Sequence, residues 1–366
     1  MICSPSIKAG HYSLKHKGNV SNLRTIHQFL AVIMSLISTL KSWLFGSNNP
    51  TPSIPGNLAT DPCHYRLDNE TSATFALPDG RKLGYAEYGA PTGKAILYQH
   101  GLPGSRLEAA QHHDLGVELG LRIIAVDRPG YGWSSPHPGW KLLDWPKDLE
   151  LLAEHLKLES YSVLGASGGG PAAFACAYAM PPKKLKCVSV VCGIGPPDIG
   201  MRGADLPHFL GWPYGIRIAP YWMGRWFWRS SWIGRLENTD EERLKMLWKE
   251  GITSWPESDR DIFTDTSYLR LCVKATREAF AQGYDHVWDD GKLGCSEFGF
   301  KLQDIRPTLP MQLWYGKKDY FVPLNHGMQI AARFGGRAQF RVEDESHAGI
   351  YSHWKREILE AIGKEM

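Results

Sequence analysis

The stretch Gly165-Ala166-Ser167-Gly168-Gly169 restricts this chain more than any other. A serine in a G-x-S-x-G turn between a strand and a helix sits at a cramped backbone position, so only small neighbours avoid collision. The flanks supply that context. Tyr161-Ser162-Val163-Leu164 reads as a strand, and Gly170 to Ala177 as a helix with Pro171 in its first turn, where a missing N–H is tolerated. Ser167 is therefore expected at a nucleophile elbow. By itself the pentapeptide also fits an ordinary glycine-rich loop, so the rest of the chain has to decide.

The body opens with two strands, Ser72 to Leu77 and Lys82 to Tyr88, joined by the hairpin signal Asp79-Gly80. Strands and helices then alternate: strand 95–99, helix 106–119, strand 122–126, helix 144–156, the elbow, and strand 185–192. After a long interruption come strand 311–315, helix 323–334 and strand 339–342. Such alternation predicts an α/β fold, a largely parallel sheet covered by helices on both faces, with its sites at the carboxyl ends of strands.

Four strand ends carry candidate chemistry. His100-Gly101-Leu102-Pro103-Gly104-Ser105-Arg106 is a glycine-containing loop able to turn backbone N–H groups toward an open space. Acyl transfer needs two such donors for the oxyanion of its tetrahedral intermediate, and Leu102 and Gly168 are assigned to them. Asp127-Arg128-Pro129-Gly130-Tyr131-Gly132 defines a turn in which Asp127 serves the backbone. Asp319 follows the strand at 311–315, and His347 follows the last strand. Singly, each is an ordinary loop residue. Together, Ser167, Asp319 and His347 stand in the chain order Ser, Asp, His, each after a predicted strand. The division of labour follows: Ser167 attacks a carbonyl, His347 takes and returns its proton, and Asp319 orients the imidazole.

His-Gly-Leu-Pro-Gly-Ser-Arg at 100–106, Asp-Arg-Pro-Gly-Tyr-Gly at 127–132 and Gly-Ala-Ser-Gly-Gly-Gly-Pro at 165–171 resemble the α/β-hydrolase superfamily, in its esterase, haloperoxidase-like and aminopeptidase-like branch. Matching stretches at 277–283, 298–305 and 314–319 extend the resemblance over roughly residues 70–366. It implies an α/β-hydrolase fold: an eight-stranded, mostly parallel sheet with the nucleophile after strand five and a helical cap inserted after strand six. A serine at the elbow argues against the epoxide hydrolase and haloalkane dehalogenase branches, which need a carboxylate there. The usual Gly-x-Gly-His around the base is replaced by Asp344-Glu345-Ser346-His347. Two carboxylates so close are expected to raise the His347 pKa and make the activity optimum alkaline, with neutralisation of Glu345 moving it down.

Charge and cysteine content remove other classes. The net charge of +3 is concentrated in the first 60 residues, where Lys8, Lys15, Lys17, Arg24 and Lys41 face no acid; the remainder holds 36 basic against 38 acidic residues. No basic field suggests nucleic acid. The seven cysteines are scattered without a C-x-x-C pair, which indicates neither a disulfide framework nor a metal site. Residues 1–62 read as an extension, with an apolar segment at about 25–45 followed by a Ser/Pro/Asn-rich linker, and 63–366 as the hydrolase-like domain. The uncharged run Thr25 to Leu40, at the short limit for a bilayer span, suits a membrane signal anchor or an amphipathic, organelle-targeting helix; without an anchor the chain is expected in the cytoplasm. A lumenal orientation would expose the sequon Asn69-Glu70-Thr71 to glycosylation.

The interruption from about 196 to 300 is too long for a loop and is expected to be a cap subdomain. It holds eight of the fourteen tryptophans. Thr239-Asp240-Glu241-Glu242 starts one of its helices. Its aromatic run from Tyr221 to Trp228 fits a lipid-facing wall, a substrate-facing wall, or burial within the cap, and Trp226 and Trp228 are offered as pocket residues. The reaction expected is hydrolysis of a carboxylic ester of an apolar small molecule through an acyl-enzyme, without metal or organic cofactor. Amide or C–C bond hydrolysis, or a non-catalytic receptor on the same fold, are the alternatives.

Overall fold

A computed structural model of the chain describes residues 62–254 and 259–366. The apolar segment at 25–45 and most of the linker lie outside the described residues. Among the described residues no helix is long and apolar enough to cross a membrane.

Eight strands, β1 (Ser72–Ala76), β2 (Lys82–Gly89), β3 (Lys94–Gln99), β4 (Leu121–Val126), β5 (Tyr161–Ala166), β6 (Leu185–Val191), β7 (Met311–Gly316) and β8 (Ala338–Glu343), form one sheet in the order β1-β2-β4-β3-β5-β6-β7-β8. The pairs β1–β2 and β2–β4 are antiparallel; the rest are parallel. The first hairpin turns at Asp79-Gly80, where Gly80 takes φ +86° and Leu77 and Arg81 close the ladder. Helices cover both faces, so the parallel strands are apolar nearly throughout rather than alternating with polar residues. Along β3, Ala95 and Leu97 enter one core and Ile96 and Tyr98 the other, as a two-residue period requires. The helix Gly170–Ala179 that follows the elbow is buried from Gly170 to Ala177, which explains its Ala-rich, uncharged sequence.

One expected element differs. The helix anticipated over 106–119 is a 3-10 segment, Arg106–His112, followed by a short α-helix, His113–Glu118. Its first turns are wound tighter because the N–H of Arg106 donates to Asp127 Oδ1 (2.7 Å) and the Glu108 carboxylate reaches back to the N–H of Gly101 (3.0 Å). Asp127 also accepts from Arg106 Nη1 (2.9 Å) and the N–H of Trp133 (3.0 Å), and Arg106 continues to Glu278 (2.8 Å) and to Asn69 Oδ1 (2.8 Å). Arg106 and Asp127 are fully buried, so this network ties the turn after β4 to the segment before β1 and to Glu278. The amide oxygen of the sequon's Asn69 is thus already engaged. The described cysteines are all free thiols.

Between β6 and β7 the chain forms helices, among them Leu206–Leu210, Tyr221–Arg229, Asp240–Ser254, Thr266–Ala279 and Asp285–Gly294. A reciprocal pair of bonds opens the third: Thr239 Oγ1 accepts from the N–H of Glu242 (3.2 Å) and Glu242 Oε2 from the N–H of Thr239 (2.8 Å). Trp228, Phe280 and Trp288 share one apolar cluster of this region, and Trp232, Leu244 and Trp248 another.

Candidate active site

Strand order brings the candidate residues together. β3 lies beside β5, with Gln99 opposite Gly165, so the loop after β3 and the elbow after β5 emerge side by side. This is the point where the order reverses, β4-β3 running one way and β5-β6 the other, and such switch points leave a crevice at the carboxyl ends. Asp319 and His347 then follow from β7 and β8, the next strands outward.

Ser167 takes φ +51°, a left-handed backbone conformation that costs a non-glycine residue about 1–3 kcal/mol. The turn is tight enough to need its glycines: a Cβ on Gly165 would stand 2.6 Å from Ala173 Cβ and 2.9 Å from the carbonyl oxygen of Gly169. A Cβ on Gly168 would lie 2.9 Å from the Leu102 nitrogen and collide with the Leu102 side chain. The backbones of Leu102 and Gly168 therefore adjoin, with Ser167 between strand and helix, as a paired oxyanion donor requires.

Asp319 is buried and accepts from the N–H groups of Phe321 and Val322 (both 2.9 Å) through Oδ1. Its Oδ2 meets His347 Nδ1 at 2.7 Å. With Nδ1 engaged, Nε2 is the nitrogen left for a serine hydroxyl. His347 begins the helix His347–His353, capped by Ser346 Oγ accepting from the N–H of Gly349 (2.9 Å).

Burial alone would lower the His347 pKa, but the Asp319 carboxylate and its hydrogen bond, then Glu108 and Asp259, hold it above the usual imidazole range. The upward direction agrees with expectation; its source does not. Glu345 is turned to His353 (3.2 Å) and Asp344 to Lys318 (2.8 Å), so neither carboxylate next to the base in sequence is among those that raise it.

Cys192, just past β6, contributes a third polar atom: its Sγ, a carboxylate oxygen of Asp319 and a ring nitrogen of His347 all lie within 4.8 Å of one another. The set does not suit a cation. Burial, then Asp319, pushes the thiol well above its usual range, and Nδ1 is already committed to the carboxylate.

Two charged groups beside the elbow went unread in the sequence. Glu108 receives the Gly101 N–H, the Tyr98 hydroxyl (2.6 Å) and the Tyr351 hydroxyl (3.3 Å), and the two tyrosine hydroxyls are bonded to each other. Its carboxylate oxygens and Ser167 Cβ approach the same point beside Gly101, each within 3.7 Å of where a Cβ there would sit. Burial pushes Glu108 up to about 7, against the pull of the Gly101 N–H, Arg128 and His347. Arg128 is the second. It donates to the carbonyl oxygens of His100 (2.6 Å) and Gly101 (2.9 Å) and, through Nε, to Asp290 (2.9 Å) on the helix Asp285–Gly294. Tyr131 donates to the same carboxylate (2.9 Å). A glutamate in a helix-like segment and an arginine in a turn carry no local signal of either role.

The pocket expected at Trp226 and Trp228 is not where the structure puts those rings. Trp228 packs on Phe280 (5.6 Å between ring centres) inside the cap, and Trp226 is exposed. A helix of 3.6-residue period cannot turn positions 226 and 228 to one side. The narrow cleft beside the elbow is instead lined by Leu102, Gly168, Pro171, Trp212 and Leu293, together with the paired Arg128 and Asp290.

Comparison with known proteins identifies the family of the fold. The profile of the alpha/beta hydrolase fold family matches residues 94–353. A proline iminopeptidase of Arabidopsis thaliana is 30% identical over 123 residues, a match covering 32% of this chain and 31% of that protein, about a third of its length. A proline iminopeptidase of Xanthomonas citri is 32% identical over 320 residues, covering 79% of this chain and 93% of that protein. Among solved structures, a carboxylesterase of Nitrososphaera gargenis superposes with a TM-score of 0.56 at 16% identity, covering 80% of this chain and all of that one (100%). At that identity the likeness is one of fold.

Proposed function

Since the chain belongs to the alpha/beta hydrolase fold family, we propose that it is a serine hydrolase acting on a carboxylic ester of an apolar small molecule through an acyl-enzyme at Ser167. The observation that carries this reading is the 2.7 Å bond from His347 Nδ1 to a buried Asp319, in a crevice shared with a serine held at positive φ. In the proposed cycle Ser167 Oγ attacks the ester carbonyl while His347 Nε2 takes its proton. The N–H groups of Leu102 and Gly168 receive the oxyanion, and His347 returns the proton to the leaving alcohol. Water, activated by the same imidazole, then releases the acid. An apolar acyl group is favoured by the lining of Leu102, Pro171, Trp212 and Leu293, since the two charged residues that also line the cleft, Arg128 and Asp290, are paired with each other.

A second reading, cleavage of an amide after an N-terminal proline, is favoured by two observations. The Xanthomonas relative is named for that activity, and Glu108 sets a carboxylate beside the elbow where a substrate ammonium could pair with it.

Turnover of a series of p-nitrophenyl acyl esters against prolyl-2-naphthylamide separates the two. Ester turnover with no amide turnover is the expected result; prolyl amide cleavage at a higher kcat/KM would replace the first reading with the second. A fluorophosphonate should label Ser167, and Ser167→Ala should lower kcat by at least about a thousandfold without loss of fold. A chain that neither labels nor turns over any substrate is a non-catalytic member of the fold.

A further inference from the structure

The outer side of the cap carries an unusual combination of residues. Between Asp205 and Glu237 the chain has Arg217, Arg225, Arg229 and Arg235 and no carboxylate. Among the described residues the same stretch contributes most of the large apolar side chains left in water: Ile218 is 84% exposed, Tyr214 72%, Leu210 59% and Phe209 54%. Soluble surfaces scatter such residues singly, and a contiguous run of them marks a place where something docks.

The helix Tyr221–Arg229 shows how the surface is built. Gly224 and Trp228 face inward, Gly224 so closely against the Trp288 ring that a Cβ would stand 2.5 Å from it. Trp222, Arg225, Trp226 and Arg229, spaced i, i+3, i+4 and i+7, form the opposite, exposed stripe. Aromatic rings interleaved with arginines suit the boundary between acyl chains and headgroups, where an amphipathic ring keeps one edge wet and a guanidinium finds phosphate. Acidic groups do reach the rim from the helix Asp285–Gly294: Asp285 and Arg225 neutralise each other (2.6 Å), while Asp289 accepts from the Tyr221 hydroxyl (2.6 Å) and keeps its charge, so Arg217, Arg229 and Lys292 outnumber it three to one. Lys292 lies over the Tyr221 ring (4.3 Å). The face stays positive.

It also leads to the active site. His208, on the helix Leu206–Leu210, stacks edge-on against Phe321 (4.8 Å), and Phe321 against His347 (5.5 Å). The helix that bears the exposed Leu206, Phe209 and Leu210 is therefore joined to the base through His208 and Phe321.

We infer that the outer face of the cap, from Leu206 to Arg229, is a docking surface for an anionic lipid membrane, which sets the mouth of the Ser167 site against the acyl layer. Net positive charge with no carboxylate in the stretch selects this occupant over a neutral apolar partner. The inference concerns binding and holds whichever bond the site cleaves.

The test uses the full chain with vesicles of phosphatidylcholine alone and of phosphatidylcholine with phosphatidylglycerol, read by co-sedimentation and by hydrogen exchange. Expected are binding to the anionic vesicles that falls as salt rises, and slowed exchange across 206–229. Arg217→Glu and Arg229→Glu should each weaken binding about fivefold or more, since one basic residue near an anionic surface is worth about that factor. Ile218→Glu should weaken it further, with unchanged exchange in β3 to β7 reporting that the variants stay folded. Unslowed exchange at 206–229 overturns the proposal, even if the chain sediments with vesicles through residues 25–45. So does protection of 206–229 that grows with protein concentration in the absence of lipid, which would make the occupant a second copy of the chain, or protection already present that Ile218→Glu releases without lipid.

Discussion

Glu108 is the residue whose role is least visible in the sequence and most exposed to test. It holds the Gly101 N–H one residue before Leu102, and where its own carboxyl, pushed up to about 7, is ionised, its charge supports the protonated form of His347. In the proposed cycle His347 is the general base and must be neutral, so activity falls as pH drops through its raised pKa. Removing the Glu108 charge lets that pKa fall, and the acid limb of kcat/KM should move to lower pH in Glu108→Gln. Glu345→Gln should leave the limb in place, because Glu345 is paired with His353. The opposite pattern would return the control to the carboxylate next to the base in sequence. The cramped position of Ser167 belongs to the same scale: the pentapeptide Gly165 to Gly169 was enough to anticipate it, whereas the contacts that forbid a Cβ at Gly168 and Gly169 come from Leu102 and from the Gln99 and His100 carbonyls at the end of β3.

At the level of elements, the cap is joined to the site by a buried charge rather than by apolar contact alone. Arg128 is 1% exposed, pins the carbonyls of His100 and Gly101, and finds its counter-charge on Asp290 (2.8 Å). Deleting one partner of such a pair leaves the other buried and unpaired, a loss of about 3–5 kcal/mol. Asp290→Ala should therefore lower the unfolding free energy measured in urea by that order and also lower kcat, because the loop bearing Leu102 loses its anchor. A lower kcat with full stability would place Asp290 at the substrate instead. Strand periods, the elbow helix and the Thr239 capping box were all legible, since each depends on neighbours within one or two turns. The 3-10 winding of Arg106–His112 was not, because its cause is Asp127, on another strand's end.

Across the whole molecule, the proposed reading sets specificity where cap and sheet meet. Trp212 reaches the cleft from a kinked stretch between short helices and lies against Gly294, 3.1 Å from where a Cβ there would sit. Truncation, Trp212→Ala, should favour longer acyl chains by about tenfold or more in kcat/KM, the scale at which a hydrophobic pocket discriminates. Trp228→Ala should cost stability and leave the chain-length profile unchanged, since that ring is sealed against Phe280. An unchanged profile in Trp212→Ala would move the acyl site elsewhere.

The sequence by itself determined the α/β alternation, the turn around Ser167, and the order Ser167, Asp319, His347, because each is written in local spacing and in the steric demands of short segments. Only the tertiary structure decided which groups act on one another. Strand order, not sequence distance, sets Glu108 rather than Glu345 near His347, gives Arg128 its partner on the cap, and chooses Trp212 over Trp226 and Trp228 for the cleft. Contacts between residues far apart along the chain depend on how layers stack, and no periodicity within either segment records them.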